Sequence, residues 1–461
     1  MNNRKKPSRT NYDLIVIGSG AAGSVAAQHA AQAGKKVCIV ESGELGGDSP
    51  RFGVIPTKAL LEAAKTLNVI QKSHQFGIRA SAISFNYRSV QAFKEKAINS
   101  TGFNKEVDVF KNSNITVIRG RAHFINPWTI SVGVKHLSSQ KFLISSGTLP
   151  YVPQIPGIAD AGYITYRQAV DLPKPPKSLF IIGGGSVSYE FAQIFAEFGS
   201  RVYIAEQKDH LLPKEDPEVG DSAEAVLTEM GVQVYTSTNV TSVSGNQGRK
   251  IINLEQKGRH LKINTEEVMV ACGKIANTDL GLINAKVKYS ANGIGINSHL
   301  QTSQKHIYAA GEVTGLVSSA HGAIQQASIV AHNLYARKKL KMDYRAIPRV
   351  VYGTPELAMT GYSEHQLVKT GVIYQSAIAP IYIVGKSITS NYSSGFVKLL
   401  ATNNGVLLGA SIVAPYASEM IGELSLAIQH RLHACAITKT VHATPTWSEA
   451  IKVAASKIHC C

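Results

Sequence analysis

Two glycine-rich turns are the residues of this chain best suited to hold a dinucleotide. The first, Gly18-Ser19-Gly20-Ala21-Ala22-Gly23, follows the apolar run Asp13-Leu14-Ile15-Val16-Ile17 and precedes a helical pattern over residues 22–33. A second apolar strand, residues 36–40, ends at Glu41. Strand, GxGxxG, helix, strand and an acid about 20 residues on make the dinucleotide fingerprint in its full context. Gly18 permits the tight turn, Gly20 lets the backbone approach a pyrophosphate, and Gly23 lets helix and strand pack closely. The helix N-terminus then faces the negative charge, and Glu41 is placed to accept from a ribose diol.

The second turn, Gly183-Gly184-Gly185-Ser186-Val187-Ser188, follows the strand Ser178-Leu179-Phe180-Ile181-Ile182 and precedes a helix read over residues 189–197. Residues 199–206 close this unit at Glu206. Ser188 stands at the third glycine and is small enough to let helix and strand approach. An acid at this strand end accepts from a 2′-OH and repels a 2′-phosphate, so Glu206 predicts NADH over NADPH, with Lys208 as the opposing cation. Two such units could be a duplicated scaffold with one site lost. Each keeps its first two glycines and its acid, so both sites are expected to be filled.

The elements that position these turns need more than one core. At 461 residues the chain implies two to four domains. Its composition, 44% hydrophobic and 17% charged, is that of a globular protein, and no uncharged apolar run is long enough to span a membrane. The basic stretch 1–10 reads as a frayed tail rather than a signal peptide. The net charge of +17 is scattered and accompanied by no nucleic-acid-binding signature, so no nucleic-acid partner is expected. Five cysteines, Cys38, Cys272, Cys435, Cys460 and Cys461, form no disulfide framework and fit a reducing cytoplasm. No resident metal site is expected. Helices are read over 58–73 and 87–110, strands over 115–119, 122–126, 129–132 and 141–145, and a helix over 319–337. The proline-rich run 150–157 reads as a linker.

Residues 46–61, Gly46-Gly47-Asp48-Ser49-Pro50-Arg51-Phe52-Gly53-Val54-Ile55-Pro56-Thr57-Lys58-Ala59-Leu60-Leu61, resemble the GGTCLNVGCIPTKALL signature of the pyridine nucleotide–disulfide oxidoreductases. The resemblance continues through Ser145-Ser146-Gly147, residues 267–276, the IYAAGDVTG-like 306–315, Ser319-Ala320-His321-Gly322-Ala323 and the segments from 347 onward, so it covers nearly the whole chain after Tyr12. It implies an α/β fold with two Rossmann-like domains, FAD-binding (1–150 and 276–345) and NAD-binding (151–275), and an α+β interface domain (346–461) that makes a homodimer. It also implies that Ala122, Ser146, Gly147, Gly273, Gly311, Glu312 and Ala320 join Gly18, Gly20, Gly23 and Glu41, and Gly183, Gly185 and Glu206, in holding FAD and NADH. Glu312 stands for the family's Asp at the ribityl chain. By the same resemblance Lys58 approaches flavin N5 and pairs with Glu190.

Against that frame the dithiol chemistry is missing. The family's redox cysteines are replaced by Ser49 and Val54. In His442-Ala443-Thr444-Pro445-Thr446-Trp447-Ser448-Glu449, which resembles HxHPTxSE, Thr444 replaces the acid–base histidine while Glu449 remains. Threonine does not titrate near neutral pH. The reading that follows is hydride transfer from NADH to flavin and onward to a small non-disulfide acceptor such as a quinone, a dye-like carrier or oxygen. Two alternatives stay open. One is thiol or Hg(II) reduction through the terminal Cys460-Cys461 pair, since mercuric reductase also ends in redox cysteines. The other is a flavin-binding relic with a scaffold or regulatory role.

Overall fold

A computed structural model describes residues 10–102, 110 and 113–460, and it has an α/β architecture. The chain folds as two compact units, each built from three separate segments. The first draws on Met1–Pro56, Ala92–Tyr151 and Gly273–Asp343. Its centre is a parallel sheet in the order Ile115–Arg119, Val37–Glu41, Tyr12–Ile17, Lys135–Ile144, with Ile307–Ala309 parallel to the last. Leu14, Ile15 and Val16 are wholly buried because both faces of the sheet are covered, one by Ala122, Phe124 and Ile130 and the other by helix Ala21–Gln32. Helices Ala21–Gln32 and Ala320–Tyr335 pack together. The buried alanines Ala22, Ala26, Ala27, Ala323 and Ala327 let their backbones come close.

Lys135–Ile144 serves two sheets. Its first half pairs antiparallel with Thr129–Val132 and its second half parallel with Tyr12–Ile17. The sequence reading took only 141–145 as strand, since the polar residues 135–140 lie in the small antiparallel meander with Ala122–Asn126. Thr148–Pro150, at the start of the expected linker, pairs antiparallel with the returning segment Lys274–Ala276.

The second unit draws on Thr57–Gln91, Val152–Cys272 and Tyr344–Cys461. One parallel sheet runs in the order Gln233–Tyr235, Arg201–Ala205, Ser178–Ile182, Glu267–Val270. A three-stranded antiparallel sheet, Thr238–Asn246, Arg249–Gln256 and Arg259–Thr265, accompanies it. From residue 349 the chain builds an antiparallel five-stranded sheet covered by Ala417–Gln429 and Glu449–Ser456 around one apolar core.

Five helices differ in their bounds from the sequence expectation, the one read over 22–33 running Ala21–Gln32. The helix placed at 58–73 runs Val54–Gln71, with Pro56 in its first turn, where a missing N–H costs nothing. The helix placed at 189–197 begins at Ser186, directly after Gly185. The helix opened at Ser319 ends at Tyr335 rather than 337. The helix placed at 87–110 is Tyr87–Ser100, and most of its last stretch lies outside the described residues, as do the basic residues 1–9 and Cys461. Among the described residues no helix is long and apolar enough to cross a membrane.

Candidate flavin and nicotinamide site

In the first unit Gly18 sits at φ +98°, and a Cβ there would lie 2.4 Å from the Ser145 carbonyl oxygen. A Cβ on Gly23 would lie 1.9 Å from the Gly18 oxygen, so helix and strand meet at a distance only glycine allows. Gly20 caps Ala21–Gln32 with no side-chain acceptor, and only the Gly47 Cα stands before its missing Cβ, at 4.0 Å. The first N–H groups of that helix are therefore open to an incoming acceptor.

Glu41 accepts from the Ser19 N–H at 2.8 Å, the Ser19 hydroxyl at 2.9 Å and the Gly43 N–H at 2.8 Å. Ser19 Oγ in turn accepts from the Gly46 N–H at 3.2 Å. A Cβ on Gly47 would lie 2.8 Å from Gly20 Cα, so the Gly46-Gly47 pair seats on the first fingerprint. Ser19 was missed in the sequence, where it counts only as an x of GxGxxG. A hydroxyl there, between acid and signature loop, was the available signal.

The other expected flavin-side residues lie in the same unit. Ala122 is buried and pairs with Val132. Ser146 Oγ donates to the Asn277 carbonyl at 2.8 Å, and Gly147 accepts from the Asn277 N–H at 3.0 Å. Gly273 accepts from the Tyr151 N–H at 2.9 Å. The Gly311 N–H donates to Gln326 Oε1 at 2.6 Å, a buried support the sequence reading did not name. Glu312 accepts from the Thr148 hydroxyl and pairs with Lys274 Nζ at 3.1 Å, so its longer side chain is already anchored. Ala320 begins its helix, and the Ser319 side chain accepts from the Gly322 N–H at 3.2 Å.

The second unit repeats the first fingerprint. Gly183 sits at φ +104°, and a Cβ there would lie 2.7 Å from the Ala271 oxygen. Gly185 caps Ser186–Glu197 with no side-chain acceptor, and nothing lies within 4 Å of its missing Cβ. Glu206 is buried and accepts from the Gly184 N–H at 2.6 Å and the Lys208 N–H at 2.8 Å. Lys208 thus meets Glu206 through its backbone.

Lys58, near the start of Val54–Gln71, donates to Glu190 Oε2 at 2.8 Å and Oε1 at 2.9 Å. The Lys58 side chain is 28% exposed and that of Glu190 8%, so one member is buried and the other reaches solvent. A carboxylate buried this far is costly unless it is paired and hydrogen-bonded.

Two of the thiols, Cys38 and Cys272, are placed poorly for redox work. Burial pushes the Cys38 thiol up to about 12. Burial, then the Glu206 charge, push Cys272 up to about 11. Both remain protonated, and the nucleophile is the thiolate. Ser49 lies in the short helix Asp48–Arg51, and Val54 opens the next helix and is 40% exposed. Thr444 Oγ1 donates to Glu449 Oε1 at 2.7 Å, and Glu449 Oε2 accepts from the Thr446 N–H at 2.9 Å. His442 contacts Glu423 at 3.1 Å and the Thr440 carbonyl at 3.2 Å, which engages both ring nitrogens in structure. Cys460 is folded back onto its own unit, where its Sγ accepts from the Cys435 N–H at 3.1 Å.

Residues 12–327 match the pyridine nucleotide-disulphide oxidoreductase family, and residues 347–455 match that family's dimerisation domain. The chain belongs to this family. A mercuric reductase of Staphylococcus aureus is 32% identical over 461 residues, covering 98% of this chain and 84% of that protein. A dihydrolipoyl dehydrogenase of the same organism is 33% identical over 454 residues, covering 96% of each. The Cu(II) complex of the HOCl-induced flavoprotein disulfide reductase RclA from Escherichia coli superposes with a TM-score of 0.86 at 26% identity, covering 98% of this chain and 100% of that one.

Pyridine nucleotide-disulphide oxidoreductases are FAD-containing flavoproteins that use NAD(P)H. The residues present fit both groups. Two uncapped helix N-termini stand behind open glycines, as pyrophosphates require. Two acids end the following strands with acceptor capacity left, three hydrogen bonds being made to Glu41 and two to Glu206.

Proposed function

We propose that this protein is an NADH-dependent flavin oxidoreductase whose electrons leave to a small acceptor other than a disulfide. When bound, the flavin supplies hydride acceptance and electron transfer; the protein supplies binding and orientation. In this reading residues 1–150 and 276–345 hold FAD, with Gly18, Gly20, Gly23 and Glu41 at its adenosine diphosphate. Residues 151–275 hold NADH through Gly183, Gly185 and Glu206. Residues 346–461 form a homodimer interface, and the protein works in the cytoplasm. Lys58, held by Glu190, orients the reacting rings.

One observation carries the choice of acceptor. The Glu449 carboxylate that would orient a catalytic histidine is hydrogen-bonded to Thr444, which cannot move a proton near neutral pH. Ser49 and Val54 remove the thiols that such a base would serve, so the two losses belong to one branch of chemistry. Anaerobic titration with NADH tests this. The flavin is expected to bleach fully with one equivalent, with no long-wavelength thiolate–flavin band. Appearance of that band overturns the reading.

Glu206 gives a second measurable outcome. Glu206→Gln keeps one of the two oxygens that accept from the Gly184 and Lys208 N–H groups, turns the other into an NH2 donor, and removes the charge that faces a 2′-phosphate. The ratio of NADPH to NADH dissociation constants is expected to fall about tenfold or more, since like charges brought together cost several kcal/mol.

A thiol or Hg(II) reductase acting through the C-terminal cysteines is the second reading. It is favoured by the Cys435 N–H donated to Cys460 Sγ, a contact that stabilises a thiolate, and by the mercuric reductases among the relatives. Cys460→Ser and Cys461→Ser variants are expected to lose thiol and Hg(II) turnover if it holds. Full retention on every such substrate removes it.

A further inference from the structure

Glu190 lies within helix Ser186–Glu197, and residues 352–355 are fastened along that helix. The Tyr352 N–H donates to Glu190 Oε1 at 3.0 Å, and the Thr354 N–H donates to Gln193 Oε1 at 2.8 Å. The Tyr189 hydroxyl donates to the Pro355 carbonyl at 3.3 Å. Between these ties a Cβ at Gly353 would lie 2.6 Å from the Tyr189 ring, so only glycine lets the segment lie this close. The consequence is the placement of one side chain. The Tyr352 ring centroid stands 4.5 Å from Lys58 Nζ, inside cation–π range.

We propose that Tyr352 is a positioning residue for Lys58, its ring holding the ammonium while its backbone N–H fixes the Glu190 carboxylate. Lys58 thereby has a carboxylate on one side, the Thr57 hydroxyl at 3.3 Å, and a π face on another. A lysine ammonium is a flexible point charge on a four-carbon stem. Two fixed partners on one short segment and one helix convert it into a directed charge. Burial, then the charges of Glu356, Glu190 and Glu419, raise the Tyr352 hydroxyl above its ordinary value. The phenol is therefore neutral, and the ring rather than an oxygen charge meets Lys58. Phenylalanine should serve in its place.

This inference rests on the reading that Lys58 serves the flavin. A positive charge held beside the ring favours its reduced form. The holoenzyme is prepared with Tyr352→Phe, with Tyr352→Leu, and with 3,4,5-trifluorophenylalanine at position 352, which keeps the ring's shape and cancels its negative face. Each is made with and without Lys58→Met. Spectroelectrochemistry reads the ratio of reduced to oxidised flavin at a fixed potential. Tyr352→Phe is expected to match the unaltered protein. The trifluoro ring and Tyr352→Leu are expected to lower the ratio about fivefold, and to do nothing further once Lys58 is Met. Equal ratios for the plain and fluorinated rings overturn the proposal, as does a Tyr352→Leu effect that persists undiminished in the Lys58→Met background. If Lys58→Met alone leaves the ratio unchanged, the role of Lys58 falls as well.

Discussion

Lys398→Met is expected to destabilise the protein by about 3–5 kcal/mol at neutral pH. Lys398 lies on strand Phe396–Ala401, and its side chain is 1% exposed. Its ammonium stands 3.3 Å from Asp216, 2.9 Å from Glu218 and 2.7 Å from Glu364. The three carboxylates have ligand oxygens within 4.8 Å of one another, a set that elsewhere would hold a cation. Here the lysine is that cation. Methionine fills a similar volume but leaves Asp216, also 1% exposed, beside two like charges.

The pH dependence has a definite sign. Burial, opposed by Lys398, raises Asp216 above its ordinary 3.8 even with the lysine present. A carboxylate raised in the folded state supports folding when protonated and opposes it as pH rises through the folded value. Burial also acts upward on Glu218, but the hydrogen bond from Lys398 leads the effects that bring it below 4.5. Glu218 therefore stabilises above 4.5 and loses that contribution as pH falls through its folded value. Without Lys398 both acids titrate upward. The loss in Lys398→Met should shrink as pH falls from 7 towards 4.5, read as a narrowing gap between guanidinium midpoints. A gap that stays constant with pH would contradict the electrostatic account.

The second large effect is a gain. Ser49→Cys with Val54→Cys should give the reduced holoenzyme a long-wavelength thiolate–flavin band. Adding Thr444→His should then raise disulfide reduction by about 10²–10⁴-fold over the double variant. The turn is already tight there, since a Cβ on Gly53 would lie 3.3 Å from Ser49 Cα. Glu449 already carries an acceptor oxygen aimed at position 444, where Thr444 donates at 2.7 Å. The size of the third step is the informative quantity. A triple variant no faster than the double would mean that the missing base does not limit this branch.

Both nucleotide fingerprints were legible because their glycines and acids recur at fixed distances along the chain. Gly18, Gly183, Glu41 and Glu206 then occupy the turns and strand ends that the spacing implied. The pairing of Lys58 with Glu190 was available only through resemblance to a family, because 132 residues separate them. Tyr352 and Lys398 were not legible as site or core residues at all. Lys398 reads as the polar break in an apolar strand, and its three partners come from two distant segments. The tie between Cys460 and Cys435 was not legible either, because 25 residues separate them.

The first unit is assembled from three stretches of chain, and Ile307–Ala309 is the last strand to join its parallel sheet, beside Lys135–Ile144. During synthesis the edge of Lys135–Ile144 that this strand covers waits, unpaired, while the whole of residues 152–272 is made. At roughly 5–20 residues per second, that interval lasts several seconds to half a minute. An uncovered strand edge is a template for pairing with other chains. Yield in the cell should therefore depend more on chaperone supply during elongation than on the stability of the finished protein.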